Sequence, residues 1–164
     1  MGILTTKVEM GFWLAFILSP IITMIIGLFI GLFALRTKEH FFAIYTLCVG
    51  YIIYLLIDKW ESLTGGVRGL IGIPPLPNIG PIELSDPIYR YYFVLLILLL
   101  SIFVIYRIIN SLVGRTFTAI RNSENLALAL GISTTVNKLL AFVLSTFFAG
   151  LAGVLYAVFI RFLG

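Results

Sequence analysis

The chain has 164 residues, 61% apolar and 11% charged, with a net charge of +4 and a mean hydropathy of +1.14. A soluble domain is about 45–50% apolar and about 25% charged, and one this small has too much surface for its volume to hide that much hydrocarbon. These figures exclude a soluble globular domain, a disordered chain and, with Cys48 as the one cysteine, a disulfide scaffold.

A bilayer core takes about 20 apolar residues as a helix. Residues 11–35 carry no charge and form the first predicted span. The run is too long for the apolar region of a cleavable leader, and Lys7 and Glu9 precede it instead of a basic cluster. Pro20 lies inside it and is tolerated as a kink, or serves as a hinge, because neighbouring helices can satisfy the freed carbonyl. Gly27 and Gly31, four apart, suit a close helix contact. Residues 41–57 are at the low end for a span and read either as a short crossing helix or as a broken one that does not cross. Residues 88–109 form a further span around the unbroken apolar run 93–100, with Tyr89, Tyr91, Tyr92 and Tyr106 near its ends, where interfacial aromatics sit. Residues 139–160 form the last, and its Ala149-Gly150-Leu151-Ala152-Gly153 stretch predicts a tightly packed interface. The fold class that follows is all-α: one polytopic transmembrane bundle over 1–164, with about four hydrophobic segments, in the plasma membrane.

With four spans, residues 36–40 and the loop from about 107 to 138 fall on one side. They hold Arg36, Lys38, Arg107, Arg115, Arg121 and Lys138 within a short length of chain. The other side holds Lys7, Lys59, Arg68, Arg90 and Arg161 over a longer one. The density of Lys and Arg makes the first side cytoplasmic, which places 58–87 outside. Charge of this kind belongs to membrane loops and does not call for nucleic acid.

The outer loop contains Thr64-Gly65-Gly66 and then Gly69, Gly72 and Pro74-Pro75. Clustered glycines allow positive φ and close approach. A phosphate-binding loop would need Gly-Lys-Ser/Thr between a strand and a helix, which is absent, so a tight turn is the plain expectation and a substrate path the sharper one. The cytoplasmic loop reads as two short amphipathic pieces. Ser123 suits an N-cap, Glu124 a first turn where an anion is favoured, and Gly131 a helix stop. Leu126, Ala127, Ala129 and Leu130 give the second piece a small apolar face. A helix of about seven residues is unstable alone, so it must pack against the bilayer, the bundle or a soluble subunit.

Three stretches carry a resemblance to the branched-chain amino acid permeases of ABC importers, LivM type. The first is Phe41-Phe42-Ala43-Ile44-Tyr45-Thr46-Leu47. The second is Thr64-Gly65-Gly66 with Gly69-Leu70 and Gly72-Ile73-Pro74. The third is Gly114-Arg115, Ala119-Ile120-Arg121, Glu124, Ala127 and Leu130-Gly131-Ile132, followed by residues 138–142 and 149–157. The cytoplasmic loop is similar to the coupling loop of such importers. The resemblance implies a permease subunit without catalytic residues, metal or cofactor. Its partners would be ABC ATPase subunits, a second permease subunit, an extracytoplasmic substrate-binding protein and the lipid bilayer. It implies Arg115, Arg121, Glu124, Ala127 and Gly131 as the ATPase-coupling contact, with Ala127 and Gly131 small so that the partner can approach. Tyr51, Tyr54, Thr64, Gly65 and Gly66 are the possible substrate path. Two departures stand out. Tyr51 and Tyr54 replace a polar Glu or Gln and an Arg usual in the family, and such permeases are about twice as long, so a truncated, non-transporting fragment is one alternative. A passive channel and an integral membrane enzyme are the others. For the enzyme, His40, Cys48, Asp58 and Glu61 make no cluster with metal-ligand or nucleophile spacing.

Overall fold

The computed structural model describes residues 2–6, 11–35, 39–60, 70–71, 86–160 and 162–163. Their elements are α1 (Gly2–Thr6), α2 (Phe12–Ala34), α3 (Glu39–Lys59), β1 (Leu70–Ile71), α4 (Pro87–Ile109), α5 (Leu112–Asn122), α6 (Glu124–Ala129), α7 (Thr134–Ile160) and β2 (Phe162–Leu163). Three helices are long and apolar enough to cross a membrane among the described residues: Phe12–Ala34, Pro87–Ile109 and Thr134–Phe159. α3, at 21 residues, is about 31 Å long at 1.5 Å per residue. The two strands form an antiparallel pair, Leu70 opposite Leu163 and Ile71 opposite Phe162. This small addition to a helical fold has no periodic signal in two residues of sequence.

The organising contact is α2 against α7, and small residues make it close. Gly27 faces Thr146, with no room for a Cβ between them. A Cβ at Gly31 would lie 2.9 Å from Leu139 Cδ1 and from Phe142 Cδ1, and one at Gly150 would lie 2.8 Å from Thr23 Cβ and 3.1 Å from Pro20 Cα. As α2 advances from Pro20 to Gly31, its partners on α7 recede from Gly150 to Leu139, so the helices are antiparallel. Between membrane helices, where lipid is as apolar as leucine, close approach of this kind is the main attraction. Of the small-residue run 149–153, only Gly150 enters the seam. Ala149 and Ala152 are exposed, and nothing lies within 4 Å of a Cβ at Gly153.

Pro20 is buried in this seam. Just before it, the Ser19 hydroxyl donates to Ala15 O at 2.6 Å. Just after it, the Thr23 hydroxyl donates to Ser19 O at 2.9 Å. Both hydroxyls next to the interrupted turn are thus satisfied within α2, as membrane depth demands.

Two aromatic clusters fix the ends of the bundle. At one end Trp13 and Phe16 meet Phe93 at 6.3 and 6.0 Å between ring centroids. Phe12 packs with Val158 there, and the Arg90 guanidinium lies 5.8 Å from the Phe159 ring. The starts of α2 and α4 and the end of α7 therefore lie together, beside the β1–β2 pair. At the other end Phe42 meets Phe142 at 5.8 Å, next to Gly31 and the α5–α6 turn. α3 starts at this second end. α4 has no fully buried residue: Phe93 packs on α2, and most of its other large apolar side chains are exposed.

Candidate functional site

Among the described residues, the second end carries a densely hydrogen-bonded connection between helices. α4 stops at Ile109, and two residues later α5 begins. Asn110 Nδ2 donates to Tyr106 O at 2.9 Å. The Ser111 hydroxyl donates to Ile108 O at 2.6 Å and accepts from the Gly114 N–H at 3.4 Å. One serine thus closes α4 and opens α5, meeting the orphan groups at both ends. The turn is tight enough that Gly114 abuts the Ile108 and Ile109 carbonyls, leaving no space for a Cβ.

Ser123 repeats the device. Its extended backbone (φ −160°, ψ 107°) ends α5, and its hydroxyl accepts from the Leu126 N–H at 3.3 Å to start α6. Glu124 follows in the first turn. At the far end Gly131 takes φ +80°, a left-handed conformation that strains residues with a Cβ. Its N–H donates to Leu128 O at 2.9 Å, and the Ile132 N–H donates to Ala127 O at 3.0 Å. These two bonds are the Schellman closure, which satisfies the last carbonyls of a helix. Six residues cannot hold a helix by propensity alone, and here two caps do so.

An ion pair fastens the turn to the long helix beyond it. Glu124 Oε1 lies 2.7 Å from Lys138 Nζ, each side chain about 30% exposed (29% and 31%). Solvent screens such a pair, so it contributes about 0–1 kcal/mol, and its value is positional. Ala127 is 1% exposed and faces inward, so its small size serves packing within the chain. The surface turned outward is Leu126, Leu128 and Leu130, all exposed, together with Arg115, Arg121 and Gly131. The loop thus brings together the sequence-predicted Arg115, Arg121, Glu124, Ala127 and Gly131 but divides them into inner and outer members. Ser111 and the outward Leu128 were not singled out in the sequence, and Lys138 entered only as a basic residue of the cytoplasmic side and as part of the 138–142 stretch. Ser111 carried a signal, a cap residue just after a span; the Lys138 contact, fourteen positions from Glu124, carried none.

Tyr51 and Tyr54 lie elsewhere, in the second half of α3. Their rings stack at 6.3 Å and 27°, and both are more than 60% exposed. Thr64, Gly65 and Gly66 lie outside the described residues.

Comparison with known proteins places this architecture. The family model described as branched-chain amino acid transport system, permease component, matches residues 1–162. The chain belongs to this permease family. It is 33% identical over 179 residues to the high-affinity branched-chain amino acid transport system permease protein LivM of Salmonella typhimurium. It is 32% identical over the same length to that of Escherichia coli. Each match covers 95% of this chain and 42% of the relative, so this permease chain spans less than half the length of the curated relatives it matches. No solved structure matches it significantly. Family membership and the three apolar helices make it a multi-pass protein of the inner membrane.

Proposed function

We propose that the chain is a membrane-spanning subunit of an ABC importer for amino acids, branched-chain amino acids foremost, and that separate ATPase subunits drive it through the α5–α6 turn. The reading rests on one observation above all. α6 is a six-residue helix closed at both ends, tied to the start of α7 and turned outward with three leucines. A push on that surface passes into α7 through Glu124 and Lys138, and from α7 into α2 through the glycine seam. Rigid elements joined by close packing transmit small displacements in this way. The relatives' names supply the substrate class. A second permease subunit and a substrate-binding protein at the opposite end complete the assembly.

Co-purification with the cognate ATPases tests the coupling role. Glu124→Arg reverses the charge at the head of α6, and Gly131→Trp forces a bulky side chain into a left-handed position. Both variants are expected to lose most ATPase association while still inserting in the membrane. Unchanged association in both rejects the role.

The same proposal places the α5–α6 end in the cytoplasm and makes α3 a fourth crossing. α2 and α7 are antiparallel, and α4 starts beside the start of α2, so a crossing by α3 would bring the chain back towards the start of α4. Tyr51 and Tyr54 then stand at membrane depth with hydroxyls that favour water or a polar partner over lipid, which suits a substrate path. Cysteine mapping in sealed vesicles checks both statements. Lys59→Cys and Asn122→Cys, each in a Cys48→Ser background, are expected to react with an impermeant maleimide from opposite sides. Native Cys48, exposed and one turn before Tyr51, is expected to react slowly but measurably. Same-side labelling rejects the fourth crossing, and a Cys48 as inert as a lipid-facing thiol rejects the path.

A further inference from the structure

We propose that α5 lies in the headgroup layer of the bilayer and binds anionic phospholipid through Arg115 and Arg121. The inference requires only that the chain is a membrane protein and is independent of the ATPase role. α5 is far more strongly amphipathic than the spans, and it begins two residues after α4 ends. At about 100° per residue, Leu112, Val113, Thr116, Phe117 and Ile120 share one arc. Arg115 falls at one border of that arc and Arg121 at the other. Arginines at the borders of an apolar face are placed for an interfacial helix, because their stems lie along the hydrocarbon boundary while the guanidinium groups reach phosphate.

The surface is partly used within the chain. Ile120 is buried, and α5 packs against α6 and α7. The half nearest the span is not: Leu112 is 79% exposed and Val113 39%. Both arginines are exposed, and α5 contains no acidic residue to neutralise them. Arg107, in the last turn of α4, adds a third positive charge just before α5. An exposed apolar strip that begins just after a membrane span and is bounded by exposed arginines complements a surface of acyl chains and phosphates. α6 itself (Glu124–Ala129) contains no arginine or lysine, so its leucines lack basic residues of their own helix at their borders.

The test uses the full chain in nanodiscs without any ATPase. Nitroxides are placed at Leu112→Cys and Thr118→Cys in a Cys48→Ser background, with phosphatidylcholine alone or mixed with phosphatidylglycerol. Leu112 is expected to report headgroup depth by its oxygen accessibility, and Thr118, on the opposite arc, to report water. Spin-labelled phosphatidylglycerol is expected to be retained in preference to phosphatidylcholine, and R115Q/R121Q to lower that preference at least about five-fold. The double variant changes only exposed side chains, and an unaltered circular dichroism spectrum and unfolding midpoint establish that its fold is kept. A Leu112 label as open to an aqueous nickel chelate as Thr118 overturns the proposal. So does a lipid preference unchanged by R115Q/R121Q. Shielding of Leu112 only after ATPases are added gives the surface to the protein partner and overturns it equally.

Discussion

Gly27→Leu is expected to unseat α7 from α2 and to lower folding stability by about 2–3 kcal/mol, at the upper end of what overpacking costs. The side of Gly27 is occupied by Thr146 Oγ1, Cγ2 and Cβ. Rotation about χ1 can move the first two atoms. It cannot move Cβ, which would sit 2.7 Å from the new side chain, so the helices themselves must separate. Separation is not offset by burying apolar surface elsewhere, because lipid already solvates these side chains and helix association depends on packing. Even Gly27→Ala is expected to destabilise, whereas Gly153→Ala on the open face of α7 is expected to be neutral or to stabilise by up to about 1 kcal/mol. Gly31 sits against the terminal carbons of Leu139 and Phe142, which can yield, so Gly31→Ala falls between the two. Reversible unfolding in mixed micelles reads all four. Gly27→Ala combined with Thr146→Gly restores the space and is expected to recover part of the loss, a coupling that distant sites do not show. A Gly27→Leu midpoint equal to the parent's removes the seam from the account of stability.

The sequence makes the membrane class plain because the signal is additive: about twenty apolar residues in a row need no partner to be recognised. The ends of α6 are legible for a different reason. A serine hydroxyl and a residue free to take positive φ act on their own backbone, so Ser123 and Gly131 can be assigned without tertiary information. What depends on a second element is not legible. Gly150 and Gly153 are equivalent as letters, yet one lies against Thr23 and the other faces open space, and the position of α2 decides which. Ala127 looks like a small residue cleared for a visitor, but the fold turns it inward and leaves Leu128 outside. Glu124 looks like an interfacial charge until α7 brings Lys138 to it. The β1–β2 pair joins residues about ninety positions apart, beyond any local pattern.

Gly114 offers the sharpest contrast between local propensity and tertiary context. It occupies the first turn of α5, and replacing a helical glycine by alanine is normally worth up to about 1 kcal/mol in favour of the helix. Here Gly114→Ala is expected to have the opposite sign, destabilising by about 1–3 kcal/mol. The added methyl would meet the Ile108 and Ile109 carbonyl oxygens, which are backbone and have no rotamer to change. One of those carbonyls is also committed: Ile108 O accepts from both the Ser111 N–H at 3.1 Å and the Ser111 hydroxyl at 2.6 Å. Displacing them opens the closure of α4 and the cap of α5 together, and the platform carrying Ser123, Glu124 and the outward leucines must swing away from the span. Two measurements separate this from simple loss of fold. The unfolding midpoint is expected to fall. The spin-label distance between Ile102→Cys and Thr118→Cys, in a Cys48→Ser background, is expected to shift or broaden while the circular dichroism stays helical. A stabilised Gly114→Ala with an unchanged, narrow distance would mean that the turn accommodates a methyl. The angle between α4 and α5 would then owe nothing to the glycine, and the orientation of the α6 surface would have to be ascribed to Ser111 and the Glu124–Lys138 pair alone.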